Sequence, residues 1–473
     1  MNYATTATVL PRPIPPSRPA ASSAEPARRD AAVRLGAGAG LWLSLLLVAY
    51  WWAAGGGFQD LGGWQRGLTS LGRLTGLVAS DLLLVQVLLM ARVPQLERAF
   101  GQDQLARHHR VVGFTSFNLM VAHVVLITWG YAAGQLGRTP ATFWDLITDY
   151  PGMLLALAGT ACLVMTVATS LRAARRRLRY ESWHLLHLYA YLGVGLALPH
   201  QLWTGQEFLA STAATVFWWS LWALAAGAVL VWRVGLPLWR NARHRLRVTA
   251  VVPEAAEVVS VHLTGRHLDR LPAQAGQFLT WRFLHRQGWT RANPYSLSAA
   301  PDGRSLRITV KELGDNSAQL RALHPGTPVL FEGPFGRLTA RARTRRRVAL
   351  IGAGVGLAPL RALAEGLEYA PGDAILLHRF TDRPLFEREL HQLTIKRGLH
   401  VLWLPGHRRA PDSWLGAGVG AADDVTALTW WVPDLAERDV YVCGPEDWIE
   451  TVRRVTQTAG LPADQLHIER FRW

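Results

Sequence analysis

Four histidines have the type and spacing to do chemistry. His109 and His123 lie 14 residues apart in one long apolar run, and His187 and His200 lie 13 apart in another. A neutral imidazole offers a nitrogen lone pair to a metal. On a helix, 13 or 14 residues cover about 20 Å. Two facing helices would therefore present a pair of imidazoles at each of two levels, and each pair could hold one haem iron from both sides. The spacing brings His109 and His123 to within about 40° on an ideal helix, but leaves His187 and His200 about 140° apart. Pro199, directly before His200, can break or rewind that turn. His108 and His184 are the competing ligands. Arg73 sits in a further apolar run and needs an anionic partner there. A haem propionate is one such partner, and Asp81 lies too far along the same run to be an obvious alternative.

The elements that must position these side chains follow from the hydropathy pattern. Six apolar spans are expected at 38–54, 68–90, 110–129, 152–170, 184–203 and 211–232. Most approach the roughly 20 residues a helix needs to cross hydrocarbon. Arginine is unevenly placed among the connecting segments. Nineteen Arg lie in the N-terminal tail, the loops after the second and fourth spans and the stretch after the sixth, whereas the alternate loops hold only Arg66 and Arg138. By the positive-inside rule both termini face the cytoplasm. His109 and His187 then lie at the cytoplasmic level, with His123 and His200 at the outer one. Residues 1–37, rich in Pro, Ala, Ser and Arg, read as a disordered cytoplasmic tail.

The chain has 473 residues, is 50% hydrophobic and carries a net charge of +16. That composition excludes a disordered chain. The arginine loops account for much of the charge, so no nucleic-acid partner is implied. The two cysteines, Cys162 and Cys443, are far apart, which excludes a Cys-ligated zinc or iron–sulfur site. Trp is frequent at 21, often beside the apolar runs, as suits a membrane interface.

After residue 245 the texture changes to short β-branched runs separated by Pro and Gly, as in a small antiparallel barrel. From about 346 a buried strand, a Gly-rich turn and a helix follow, which is α/β grammar. Within the first part, ANPYSLSAAP spans 292–301. Tyr295 offers an aromatic face, and the Ser296 hydroxyl could reach a flavin ring nitrogen. Farther on, VKELGDNSAQL at 310–320 reads as strand, turn and helix start. Asn316 and Ser317 would cap that helix, and its free N–H groups would receive the FAD pyrophosphate. In the second part, Gly352, Gly354 and Gly356 allow a tight turn and close approach of a diphosphate, with Pro359 in the first turn of the next helix. The second strand ends at His378-Arg379, and Arg383, Arg408 and Arg409 follow. Guanidinium groups there favour the extra phosphate of NADPH, and make NADH the lesser candidate.

These motifs carry a resemblance. The paired histidines on six spans, with the stretch HLYAYLGVGLALPH at 187–200, resemble the transmembrane domain of the ferric reductase and NADPH oxidase family. The segment with Asn293, Tyr295, Ser296, Leu297 and Ser298 resembles the flavin signature of ferredoxin-reductase-type FAD domains, although Asn293 stands where Arg or His is usual. EGPFG at 332–336, the Gly352–Pro359 turn and YVCGP at 441–445 are similar to the rest of that module. The terminal HIERFRW places Glu469 and Phe471 as the family's Glu-x-aromatic, with Phe471, or the extension Trp473, covering the flavin. Cys443 would neighbour the hydride path.

The resemblance implies three parts. They are a six-helix all-α transmembrane bundle at 38–240, an antiparallel β-barrel FAD domain at 241–343 and an α/β Rossmann-like NAD(P)-binding domain at 344–473. It implies FAD, NADPH and two b-type haems held by His109, His123, His187 and His200. It also implies an extracytoplasmic small-molecule acceptor, either a ferric chelate or O2. Ile127 occupies the position at which the family's oxidases carry a further histidine, which favours the ferric chelate. The alternatives are a superoxide-producing oxidase and a membrane-anchored flavin reductase feeding a soluble protein partner.

Overall fold

The computed structural model describes the chain from Ala24 to Arg470, apart from 179, 286–290 and 421. The first helix, α1 (Ala24–Ala54), starts well before the apolar run expected from residue 38. Ala- and Arg-rich sequence has high helix propensity, and Arg34 donates to the Ala99 carbonyl at 3.3 Å. The segment from Ala24 onward is therefore helical, not a disordered tail.

Three long helices and their connectors follow: α2 (Trp64–Met90), the short α3 (Pro94–Phe100), α4 (Gln102–Tyr131), α5 (Thr139–Asp149) and α6 (Met153–Ser170). After them come the single turn α7 (Arg172–Arg175) and α8 (Tyr180–Trp203). Next, α9 (Thr212–Ala228) runs through a π-helical stretch, Val229–Gly235, into α10 (Leu236–His244). Five helices among the described residues are long and apolar enough to cross a membrane: Arg28–Ala54, Trp64–Met90, Gln102–Tyr131, Met153–Ser170 and Thr212–His244. The remaining expected span is helix α8, but His184, His187, His200 and Gln201 dilute its apolar character.

Helices α2 and α4 pack along one another, as do α6 and α8. The second pair is drawn close by small residues. A Cβ on Gly159 would lie 2.7 Å from the Gly193 carbonyl oxygen, and one on Gly193 would lie 2.9 Å from that of Gly159. Residues 30–236 form one compact unit, and the chain from 237 onward belongs to another.

The second unit opens with two three-stranded antiparallel sheets. One orders β1 (Arg247–Ala255), β2 (Val258–Thr264) and β5 (Ser305–Lys311); the other orders β4 (Asn293–Ser296), β3 (Phe278–Phe283) and β6 (Val329–Phe335). Single bridges, Arg247 to Pro328 and Leu297 to Ile308, join them. Both sheets face one core that includes Val261, Leu279, Trp281, Leu297, Ile308 and Phe331. The alternate burial along β3, with Leu279, Trp281 and Phe283 inward, is the period-two pattern of a half-buried strand. The turn α11 (Asp315–Ala318) connects β5 toward β6.

The remainder is a parallel sheet in the order β11 (Leu466–Arg470), β10 (Arg438–Gly444), β7 (Arg347–Ala353), β8 (Ala374–Phe380) and β9 (His400–Pro405). Its helices are α12 (Leu357–Gly366), α13 (Glu387–Arg397), α14 (Asp424–Trp431) and α15 (Glu446–Thr458). Separate apolar cores cover its two faces, one with α14 and α15 and the other with α12 and α13. Accordingly β7 and β10 are buried along their whole length. The strand order runs outward from β7 to β9, then restarts at β10 on the other side. That reversal opens a crevice at the carboxyl ends of β7 and β10, where open α/β sheets take their ligands.

Candidate functional site

Helix α4 carries His109 and His123, and α8 carries His187 and His200. The rings of His109 and His187 have centres 6.0 Å apart, and those of His123 and His200 are 6.2 Å apart. Both expected pairs therefore meet, including the one whose ideal helical phase was wrong by about 140°. Pro199 lies inside α8 and cannot donate to the carbonyl four residues back, which loosens the ladder just before His200. His108 stands edge-on to Phe100 at 5.7 Å, so the imidazole that meets α8 at this level is that of His109.

Each of the four rings is fixed through Nδ1. That of His109 faces the Gln86 carbonyl at 3.3 Å, and that of His123 the Gly72 carbonyl at 2.8 Å, both on α2. A carbonyl only accepts, so both Nδ1 atoms donate. His200 Nδ1 lies 2.7 Å from Thr204 Oγ1, whose own proton goes to the His200 carbonyl at 2.7 Å. His187 Nδ1 lies 3.3 Å from Ser170 Oγ, whose proton goes to the Thr166 carbonyl at 2.7 Å. With the hydroxyl protons on those carbonyls, these two imidazoles donate as well. Every ring is left with Nε2 as its lone-pair nitrogen, the tautomer of a metal ligand. Two imidazoles on one iron, with bonds of about 2 Å and ring centres about 1 Å beyond, would sit roughly 6 Å apart. Both pairs fit that requirement. Gly76 permits the second pair, because a Cβ there would lie 2.4 Å from His123 Nδ1.

Arg73 finds its anions in the protein. It pairs with Asp60 at 2.8 Å and Glu207 at 3.4 Å, and its Nε is buried without a hydrogen-bond partner. The expected propionate contact is thus not needed to neutralise it.

In the antiparallel sheets the flavin-signature residues divide. Asn293 is half-buried at the start of β4, opposite Trp281. Tyr295 is buried in the sheet core, and burial pushes its phenol well above the usual range. Ser296 is buried with its Oγ unpartnered, which is an open place for a ligand's hydrogen bond. Leu297 and Ser298 do other work. Leu297 is fully buried in the same core, while Ser298 Oγ accepts from Arg307 Nε at 3.1 Å and Thr309 Oγ1 at 2.8 Å. The helix expected after 314 is the single turn α11. Ser317 Oγ accepts from the Leu313 N–H at 2.8 Å and ties that turn together, and a 3-10 turn, Gln319–Ala322, continues it. The Asn316 side chain lies outside the described residues, as do Phe471 and Trp473.

At the crevice the three glycines have separate reasons. Gly354 has φ +54° and open space where a side chain would be. At Gly356 a Cβ would lie 2.4 Å from the Cys443 carbonyl oxygen, so the turn packs directly on β10. A Cβ on Gly352 would strike Leu360 at 2.8 Å. Pro359 is buried in the first turn of α12. Beside this turn Cys443 is fully buried, and burial and the Glu469 carboxylate push its thiol up, so it stays protonated and is no nucleophile. Glu469 pairs with Cys443 across β10 and β11. A Cβ on Gly336 would be 3.6 Å from Glu469 Oε2 and 3.2 Å from Phe278, so these residues gather where the antiparallel sheets adjoin the crevice. Of the residues expected along the hydride path, Cys443 and Glu469 are adjacent, while Phe471 and Trp473 lie outside the described residues.

The arginines after β8 also divide. Arg379 is half-buried at the strand's carboxyl end, its Nε without a hydrogen-bond partner. Burial and the charge of Arg408 hold it below the usual guanidinium range. Both features suit a guanidinium awaiting an anion. Arg383 is exposed in the following loop. Arg409 is committed elsewhere, to the Ala422 carbonyl at 2.8 Å and Asp424 at 3.1 Å. His378 is fully buried, and burial pushes it down to about 3.

Sequence reasoning missed the groups that orient these residues. Ser170 and Thr204 are ordinary hydroxyls, and only the position of Thr204 one turn after His200 hinted at its part. Arg307, Glu389 and Arg361 join the antiparallel sheets to the parallel one. Arg307 meets Glu389 at 2.7 and 2.9 Å, and Arg361 meets it at 2.7 Å.

Comparison with known proteins gives separate matches for parts of the chain. Residues 75–198 match the family described as ferric reductase like transmembrane component. The glycine betaine monooxygenase reductase subunit of Chromohalobacter salexigens is 26% identical over 49% of this chain and 65% of its own length. A flavohemoprotein of Xylella fastidiosa is 29% identical over 49% of this chain and 59% of its own length. The match thus spans less than two thirds of either relative. Among solved structures, the flavohem-like FAD/NAD binding domain of nitric oxide dioxygenase from Vibrio cholerae is 25% identical, with a TM-score of 0.38 over 48% of this chain and 99% of that one. The chain thus contains a segment similar to the ferric reductase like transmembrane component, and about half of it is similar to reductase subunits and flavohemoproteins.

Proposed function

We propose that this protein is a transmembrane oxidoreductase that carries electrons from cytoplasmic NADPH, by way of FAD and two b-type haems, to a ferric chelate on the far side of a bilayer. The observation that carries the proposal is the double pair of imidazoles, each ring held in the Nε2 lone-pair tautomer. They lie in the segment that resembles the ferric reductase component. When bound, the flavin takes a two-electron hydride and the haems exchange single electrons.

The residues of the chain bind and orient. His109 with His187, and His123 with His200, would hold the two irons. Six spans, α8 included, would set the first pair toward the cytoplasm and the second toward the outside; the uneven arginine distribution among the loops supports that orientation. The two antiparallel sheets would close as the flavin barrel, with the Ser296 hydroxyl donating to the flavin ring. Gly354 would leave room for the diphosphate of NADPH, and Arg379, at the carboxyl end of β8 with its Nε unpartnered, would hold the 2′-phosphate. Guanidinium at that position favours NADPH over NADH. Glu469 and buried Cys443, paired across β10 and β11, would border the nicotinamide end of the crevice. Ile127 in place of an imidazole favours the ferric chelate over oxygen as acceptor.

The test is vectorial. Full-length protein is reconstituted in lipid vesicles with a ferric chelate trapped inside, and NADPH is added outside to the copies whose flavin module faces outward. Reduction of the trapped chelate is expected, and it should cease in His123→Ala while flavin reduction by NADPH continues. Undiminished reduction of the trapped chelate in that variant would refute the relay.

A further inference from the structure

The four Nδ1 hydrogen bonds are unequal. At the His123–His200 pair both are short, 2.8 Å to the Gly72 carbonyl and 2.7 Å to Thr204 Oγ1. At the His109–His187 pair both are long, 3.3 Å to the Gln86 carbonyl and 3.3 Å to Ser170 Oγ. The acceptor at Ser170 is further divided, because its oxygen also takes the Trp183 Nε1 proton at 3.3 Å. Thr204 Oγ1, its proton likewise directed to a backbone carbonyl, shares its oxygen with no second side-chain donor among the described residues and lies closer to the imidazole.

A hydrogen bond that pulls on the Nδ1 proton gives the ring imidazolate character and makes Nε2 a stronger donor. A stronger donor stabilises the ferric over the ferrous state and lowers the reduction potential, since hydrogen bonding behind the axial ligand is one of the protein's levers on haem. We propose that these bonds hold the two iron sites at different potentials, the His123–His200 site being the more strongly reducing, and that Thr204 is the positioning residue responsible on α8. The inference rests on the haem reading above. It places the stronger reductant at the end of the relay nearer the acceptor, where a ferric chelate of low potential must be reduced. Thr204 touches neither iron nor acceptor; it acts through the ring of His200.

The experiment is an anaerobic redox titration of the full-length protein in detergent, followed in the b-type visible bands, with haem content measured separately. Wild type should show two waves. His123→Leu should retain one, and it should be the more positive. Thr204→Val, which removes the acceptor at nearly constant shape, should move the more negative wave upward by about tenfold in the reduction equilibrium, or about 59 mV for one electron. Thr204→Ser should leave it in place. Ser170→Ala should move the other wave by less. Two haems with unmoved waves in Thr204→Val, or a surviving wave in His123→Leu that is the more negative, would overturn the proposal. If Thr204→Val loses its haem, the comparison of wild type with His123→Leu still decides which site is lower. Protein with intact flavin but no haem would instead refute the underlying assignment of the histidines.

Discussion

Gly76→Ala is a single methyl aimed at one metal pair. Its Cβ would lie 2.4 Å from His123 Nδ1, about 1 Å inside ordinary contact. Gly76 is on α2, packed along α4, so neither backbone can withdraw cheaply. The imidazole must therefore yield by about 1 Å, which stretches its 2.8 Å bond to the Gly72 carbonyl beyond hydrogen-bond range. Overpacking of this kind costs about 1–3 kcal/mol, and the lost hydrogen bond adds about 1 kcal/mol. The sum falls on one histidine, so the His123–His200 site should lose haem, or its low-spin spectrum, while the His109–His187 site keeps both. The assay is the reduced-minus-oxidised spectrum with haem counted per chain, expected to fall from two toward one. Gly227→Ala is the control, because a Cβ there meets nothing within 4 Å. Two normal haems in Gly76→Ala, with unchanged band positions, would refute the reasoning that His123 is a ligand held against α2.

Three further outcomes follow from the second unit. Arg379→Ala should raise KM for NADPH by about 10- to 100-fold, the loss of one charged hydrogen bond, with NADH nearly unaffected; an equal loss for both would remove Arg379 from the 2′-phosphate. Glu389 is held below the usual carboxylate range because, although burial opposes it, the Arg307 hydrogen bonds and the Arg361 and Arg307 charges outweigh that burial. Its stabilising part is therefore complete above the unfolded value of about 4.3 and lost as pH falls through the folded one. Glu389→Gln should cost about 3 kcal/mol at neutral pH by leaving Arg307 without its buried partner and should flatten the acid limb of a denaturation series, whereas a wild-type acid limb would count against the ion pair. Cys443, buried and held as thiol, should resist alkylation in the folded protein at pH 8 and react on unfolding; rapid labelling of native protein, read by mass spectrometry, would contradict its placement.

Residue type and spacing made the histidine pairs and the glycine turn legible before any coordinates. The histidines announce themselves because an ionisable group in an apolar run is costly, and the glycines because only glycine suits the positive φ at 354, the backbone pressed on β10 at 356 and the close approach of Leu360 at 352. What hid from the sequence was whatever depends on backbone or on distant loops. The carbonyls of Gly72 and Gln86 that orient His123 and His109 carry no residue signature. The anions of Arg73 come from Asp60 and Glu207, in two loops far apart in the chain. Ser298 looked like a cofactor contact by its neighbours, yet strand geometry turns it toward Arg307 while Ser296 keeps a free hydroxyl. Helix α8 was expected as a span that carries His187 and His200, and those histidines, with His184 and Gln201, lower its apolar character.

The most direct test is the anaerobic visible spectrum of the purified protein before and after NADPH. The account predicts bleaching of the flavin followed by sharp reduced b-type bands amounting to two haems per chain. Flavin bleaching in protein that contains no haem would contradict it, and would leave the membrane segment as an anchor for a reductase that serves an acceptor on the same side.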